Sequence, residues 1–112
     1  ETPMLLAIMR MRAAEAVELL GRSCATEVEK LQADLALAYG VEAVGRCAAA
    51  VPETDRRSCP TLDWERLVEH RPALLENYRH LDMNEVRAKI RDEFPQLVGQ
   101  LDEVLGPEDS TP

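Results

Sequence analysis

The sequence of 112 residues predicts an all-α protein, and three observations support this fold class. The strong helix formers Ala, Leu, Met, Glu and Arg are abundant. Apolar residues recur at three- and four-residue spacing along most of the chain, which marks one face of a helix. No segment alternates apolar and polar residues as a strand does, and no internal repeat is present. The sequence therefore predicts a bundle of four or five helices.

Length and composition are typical of one globular domain. Apolar residues make up 46% and charged residues 30% of the chain, which is long enough to bury a core without disulfides or metal. Aromatic residues make up only 4%, so Leu, Val, Ala and Met must fill that core. We assign residues 3–106 to a helical domain and residues 107–112, "PEDSTP", to a disordered tail.

The first helix is predicted from about Pro3 to Leu20. Proline is favoured in the first turn of a helix, and Gly21 suits the position just after its last turn. The apolar positions of this helix recur at three- and four-residue spacing and are Leu5, Ile8, Met9, Ala13, Ala16, Val17 and Leu20. The pattern predicts a helix with one buried face.

The second helix is predicted from Thr26 to about Ala50, because Thr26 and Glu29 have the spacing of a capping box. Its predicted apolar face consists of Val28, Leu31, Leu35, Ala38, Val41, Cys47 and Ala48. Gly40 and Gly45 lie inside the helix, where glycine lowers helix stability relative to alanine. Their presence indicates that another helix packs very close to them.

A loop is predicted over residues 52–60, "PETDRRSCP", because this stretch combines two prolines with turn-forming residues. Cys59 follows two arginines, a setting that can lower the pKa of a thiol and favour a nucleophile. The sequence places no histidine beside it. We therefore favour an ordinary loop cysteine.

Two more helices are predicted after this loop. Asp63 can cap a short helix that contains Trp64. Pro72 then either kinks the helix or begins a new helix as a residue of its first turn. Asp82 begins the last helix, with Glu85 at the spacing of a capping pair.

The last predicted helix contains a proline. Its apolar positions are Val86, Ile90, Phe94, Leu97, Leu101, Val104 and Leu105. Pro95 predicts a kink within the helix. Gly106 and Pro107 end it.

The net charge of −8 is unevenly distributed. Residues 1–55 carry 5 basic and 9 acidic side chains, a net charge of −4. Residues 56–91 carry 8 basic and 6 acidic side chains, a net charge of +2, and residues 92–112 carry 6 acidic and no basic ones. General electrostatic attachment to nucleic acid is therefore disfavoured, and any contact with RNA is expected from the middle segment. A solvated acidic surface without a nucleic-acid role is the alternative.

The cysteines, and the absence of several known sequence motifs, argue against some classes of function. Cys24, Cys47 and Cys59 are odd in number and include no C-x-x-C pair, which argues against a zinc site or a disulfide framework and favours a cytoplasmic location. No apolar run approaches the length of a membrane span, so no membrane partner is expected. No Gly-rich phosphate loop or H-E-x-x-H motif is present, and we expect neither cofactor nor metal.

Residues 61–105 contain a spaced set of residues that resembles a known family. Arg71 follows Trp64 by seven residues, Tyr78 follows after seven more, and then come Asp82 and the segment "FPQL". This order resembles the C-terminal part of HepT-like proteins, a branch of the HEPN superfamily, in which the tryptophan opens a short helix and an aspartate caps the next one. Upstream, "LALAYGVEAVGRCA" is similar to the family's second long helix. The resemblance covers nearly the whole chain and is weak before residue 30.

The resemblance implies both a fold and a function. HEPN proteins are dimeric bundles with two long antiparallel helices. The HepT type is the ribonuclease toxin of a toxin–antitoxin pair, and its partner is a minimal nucleotidyltransferase that silences it by adding AMP to the motif tyrosine. The family motif is R-x4-H-x-Y, and the arginine and histidine of both subunits form a metal-independent RNA-cleaving site. On this chain the motif corresponds to Arg71 and Tyr78, so Tyr78 is the candidate for AMP addition.

The chain departs from the motif at two positions. Glu76 stands where the family has histidine, and Pro72 stands where it usually has a polar residue. An ionised glutamate cannot donate a proton, repels the phosphodiester and neutralises Arg71. His80 lies about one helical turn beyond Glu76 and is a weaker candidate for acid–base catalysis, while His70 precedes the arginine.

Three functions remain open at this point. The first is a HepT-like protein with impaired or lost RNA cleavage, which would be a metal-independent endoribonuclease if it is active. The second is a non-catalytic, dimeric helical module for binding or assembly. The third is an unrelated acidic helical adaptor.

Overall fold

The computed structural model describes residues 1–69 and 81–106, and this part of the chain contains helices and no strand. The helices are α1 (Thr2–Leu20), α2 (Glu27–Ala50), α3 (Glu53–Arg57), α4 (Trp64–Val68) and α5 (Met83–Leu105). The predicted all-α class is confirmed for these residues. The predicted break at Pro72 and the predicted tail at 107–112 lie outside them.

The helices α1 and α2 begin and end close to the predicted residues. α1 has a proline in its first turn, and Gly21 follows its last residue. Before α2, the Thr26 hydroxyl accepts a hydrogen bond from the Glu29 backbone N–H at 3.1 Å. The Glu29 carboxylate accepts one from the Ala25 N–H at 2.8 Å, one residue further back than in a standard capping box. The predicted capping residues therefore do begin this helix.

Aspartate caps begin α4 and α5, as predicted. The Asp63 carboxylate accepts a hydrogen bond from the Arg66 N–H at 3.3 Å. The Asp82 carboxylate accepts hydrogen bonds from the N–H groups of Asn84 and Glu85 at 3.0 and 3.3 Å. Each cap satisfies N–H groups that have no partner inside their own helix.

α5 continues through its proline as one helix of 23 residues. Pro95 is exposed, so its ring faces solvent and not the core. The helix ends at Gly106, whose φ of 81° lies in the region that favours glycine. The Gly106 N–H donates to the Asp102 carbonyl at 2.9 Å, which closes the last turn.

The prediction of a loop over residues 52–60 is wrong in part, because α3 lies within it. Glu53 and Asp55 stand in its first turn and Arg57 in its last, which matches the direction of the helix dipole. Arg57 also pairs with Glu53 one turn earlier at 3.2 Å. Pro52 sits just before the helix, where its missing N–H costs nothing, so the proline starts this helix instead of preventing it.

The long helices pack side by side, with α1 against both α2 and α5. Leu19 shares a shallow groove with Ala36 of α2, whereas the earlier residue Ala16 lies beside the later residue Gly40. α1 and α2 therefore run antiparallel. A Cβ added at Gly40 would lie 3.3 Å from the Ala16 Cβ, so the predicted close approach of a second helix is confirmed there.

Two ion pairs fix the direction of α5. Arg10 in α1 pairs with Asp102, near the C-terminal end of α5, at 2.7 Å. Arg87, near the start of α5, pairs with Asp34 in the first half of α2. α5 therefore runs antiparallel to α1 and parallel to α2.

The three long helices and the segment after α2 enclose one core. The largest fully buried side chains are Met9, Leu37, Val41, Val44, Val51, Ile90, Phe94 and Leu101. Val28, Leu31 and Leu35 are exposed, so the prediction that they belong to the buried face of α2 is wrong. α2 instead buries Leu37 and Val44, which the predicted face did not include. None of the described helices is both long and apolar enough to cross a membrane.

Candidate functional site

The candidate site residues lie in a segment outside the described residues. This holds for the motif positions Arg71, Glu76 and Tyr78, for the alternative acid–base residue His80, and for His70 and Pro72. The described chain reaches this segment from α4 and leaves it into α5. The geometry that can be described is therefore that of the helices on either side.

Trp64 is held by Cys59, in the loop before α4, and by Arg56 of α3. Its indole N–H donates to the Cys59 carbonyl at 3.0 Å. The Arg56 guanidinium lies over the indole, 5.8 Å from the ring centroid, which is within the range of a cation–π contact. Trp64 is half-buried and packs against the core. The tryptophan that opens α4 is thus a structural anchor for the start of this helix.

Arg56 also joins this turn to the end of α2. Its guanidinium donates to the backbone carbonyls of Val51 at 3.0 Å and Ala48 at 3.1 Å. The last carbonyls of a helix have no partner within the helix, so a cation placed there satisfies them and complements the dipole. This role of Arg56 could not be predicted from the sequence, because the residues involved come from three separate elements.

A groove of about 310 Å³ separates α4 from α5. It is lined by Asp63, Arg66, Leu67, Glu93, Gln96, Leu97 and Gln100. Arg66 forms two hydrogen bonds to the Glu93 carboxylate, at 2.9 and 2.6 Å, and these hydrogen bonds raise the pKa of Arg66. The Arg66–Glu93 pair therefore links α4 to α5 across the groove.

The three cysteines have different environments and form no disulfide. Cys24 is exposed, Cys47 is half-buried and Cys59 is buried in the core. Burial raises the pKa of Cys47, and the nearby Arg12 acts in the opposite direction. Cys59 lies in the loop after α3, as the sequence predicted, and the burial of its side chain in the core is an addition to that prediction. Within residues 1–69 and 81–106, no cluster of three or more His, Cys, Asp or Glu is placed to hold a metal ion.

The structure also shows an exposed row of apolar side chains on α2. Val28, Leu31 and Leu35, which were predicted to be buried, form this row together with Tyr39. The apolar residues at helical spacing were a valid signal of a helix face, but this face is not the buried one.

Comparison with protein-family models, with curated proteins and with solved structures found no match.

Proposed function

We propose that this chain is a HepT-like protein of HEPN type in which RNA cleavage is weak or lost. The observation that carries the proposal is the spacing of Trp64, Arg71, Tyr78 and Asp82. Two structural facts support it: a short helix begins at Trp64, and an aspartate caps the helix that follows the motif segment. The antiparallel pairing of α1 and α2 is also compatible with such a bundle.

The expected defect follows from the chemistry of Glu76. An ordinary glutamate is ionised at neutral pH, so it is a poor proton donor. Its negative charge also lies close in sequence to Arg71, the residue expected to bind the phosphate. Proton transfer by a positioned side chain contributes a factor of about 10² to 10⁴ in rate. A site without the histidine is expected to lose a factor of that size.

Cleavage of tRNA and mRNA by the purified chain tests this proposal. We expect little cleavage by the unmodified chain and an increase of about 100-fold or more for Glu76→His, because histidine restores a group that titrates near neutrality. Adding Arg71→Ala to Glu76→His should remove the activity. Arg91→Ala is the matched control, since Arg91 is exposed and pairs with its neighbour Asp92.

Two outcomes would contradict the proposal. Efficient cleavage by the unmodified chain that Arg71→Ala removes would show that the site with Glu76 is active. A folded Glu76→His variant without activity on any RNA would count against the family assignment itself.

The same proposal includes a homodimer and a partner, a minimal nucleotidyltransferase that adds AMP to Tyr78, in the cytoplasm. Incubation with such an enzyme and ATP, followed by mass spectrometry of the peptide containing Tyr78, tests this part. The Tyr78→Phe variant is the control, because it keeps the ring and lacks the hydroxyl that would accept the AMP. Absence of an adduct with an active partner enzyme would remove the tyrosine from the proposal.

The second candidate function is a non-catalytic dimeric helical module for binding or assembly. The exposed apolar row on α2 favours it, because such rows mark interaction surfaces. A chain that dimerises, while Glu76→His fails to cleave RNA, would favour this function over the first.

A further inference from the structure

We draw no further inference here: the strongest candidate, the exposed apolar row of Val28, Leu31, Leu35 and Tyr39 on α2, carries none because nothing in the structure shows what covers it.

Discussion

Each cysteine of this chain has a reactivity set by its surroundings. Cys24 is exposed after α1, Cys47 is half-buried on α2, and Cys59 is enclosed by the core. Burial disfavours the charged thiolate, and this is why the pKa of Cys47 is raised. The sequence indicated an arginine-flanked loop around Cys59, but the reactivity of a thiol depends on the side chains packed around it, which come from distant residues.

The first prediction concerns thiol alkylation as a function of pH. Cys24 should react first with iodoacetamide, Cys47 should reach its full rate at a higher pH, and Cys59 should react only on unfolding. Arg12→Gln should slow Cys47 further, because Arg12 lowers its pKa. Timed alkylation followed by mass spectrometry measures the three rates. Equal rates for Cys24 and Cys47 at every pH would contradict the assignment.

The raised pKa of Cys47 also makes the stability of the folded state depend on pH. The folded state holds the thiol proton more tightly than the unfolded state, so the protonated thiol makes its full contribution to stability below the ordinary pKa of cysteine. It is lost as the pH rises through the raised pKa of the folded state. Cys47→Ser should reduce this alkaline loss of stability.

At the scale of elements, local sequence decided most helix ends. Thr26, Asp63 and Asp82 begin helices because their side chains accept hydrogen bonds from the first free N–H groups, an interaction that needs only neighbouring residues. α3 was not predicted, because Pro52, Pro60 and the turn-forming residues between them indicated a loop. The prediction that another helix packs close to Gly40 is confirmed. It could be made because glycine lowers the stability of a helix, and close packing must offset that loss.

The second prediction compares two glycines inside helices. Gly99→Ala in α5 should stabilise the protein by about 1 kcal/mol, because no atom lies within 4 Å of the added Cβ. Gly40→Ala should gain less or lose stability, since its Cβ would lie 3.3 Å from that of Ala16. Gly40→Val should cost about 1–3 kcal/mol. Urea unfolding measures all three, and a Gly40→Val variant as stable as the unmodified protein would refute the close approach.

At the scale of the whole molecule, one core joins the long helices to the segment that carries Trp64. Phe94 is fully buried among side chains from the neighbouring helices, and Trp64 packs at the edge of the same cluster. The Arg66–Glu93 pair ties α4 to α5. Because these contacts connect the three long helices and α4, the domain is expected to unfold in a single cooperative step.

The third prediction follows from this shared core. Trp64 fluorescence and helical circular dichroism should change at the same urea concentration, because the indole packs on the core of the long helices. Phe94→Ala should lower the free energy of unfolding by about 3–5 kcal/mol, a large part of the stability of such a domain. Gln96→Ala, at an exposed position of the same helix, is the control. An earlier change in fluorescence would show that α4 unfolds separately.

The all-α class and most helix ends could be predicted from the sequence, and so could the family resemblance on which the candidate site at Arg71, Glu76 and Tyr78 depends. These follow from interactions between near neighbours and from the order of residue types. Which side of α2 is buried depends instead on the packing of the other helices. The helix is apolar on two faces, with Leu35 on one and Leu37 on the other, and the apolar spacing led to the wrong prediction that the face of Leu35 is buried. The choice is made by α1 and α5, which pack against α2 and cover the face of Leu37, whereas Leu35 stays exposed.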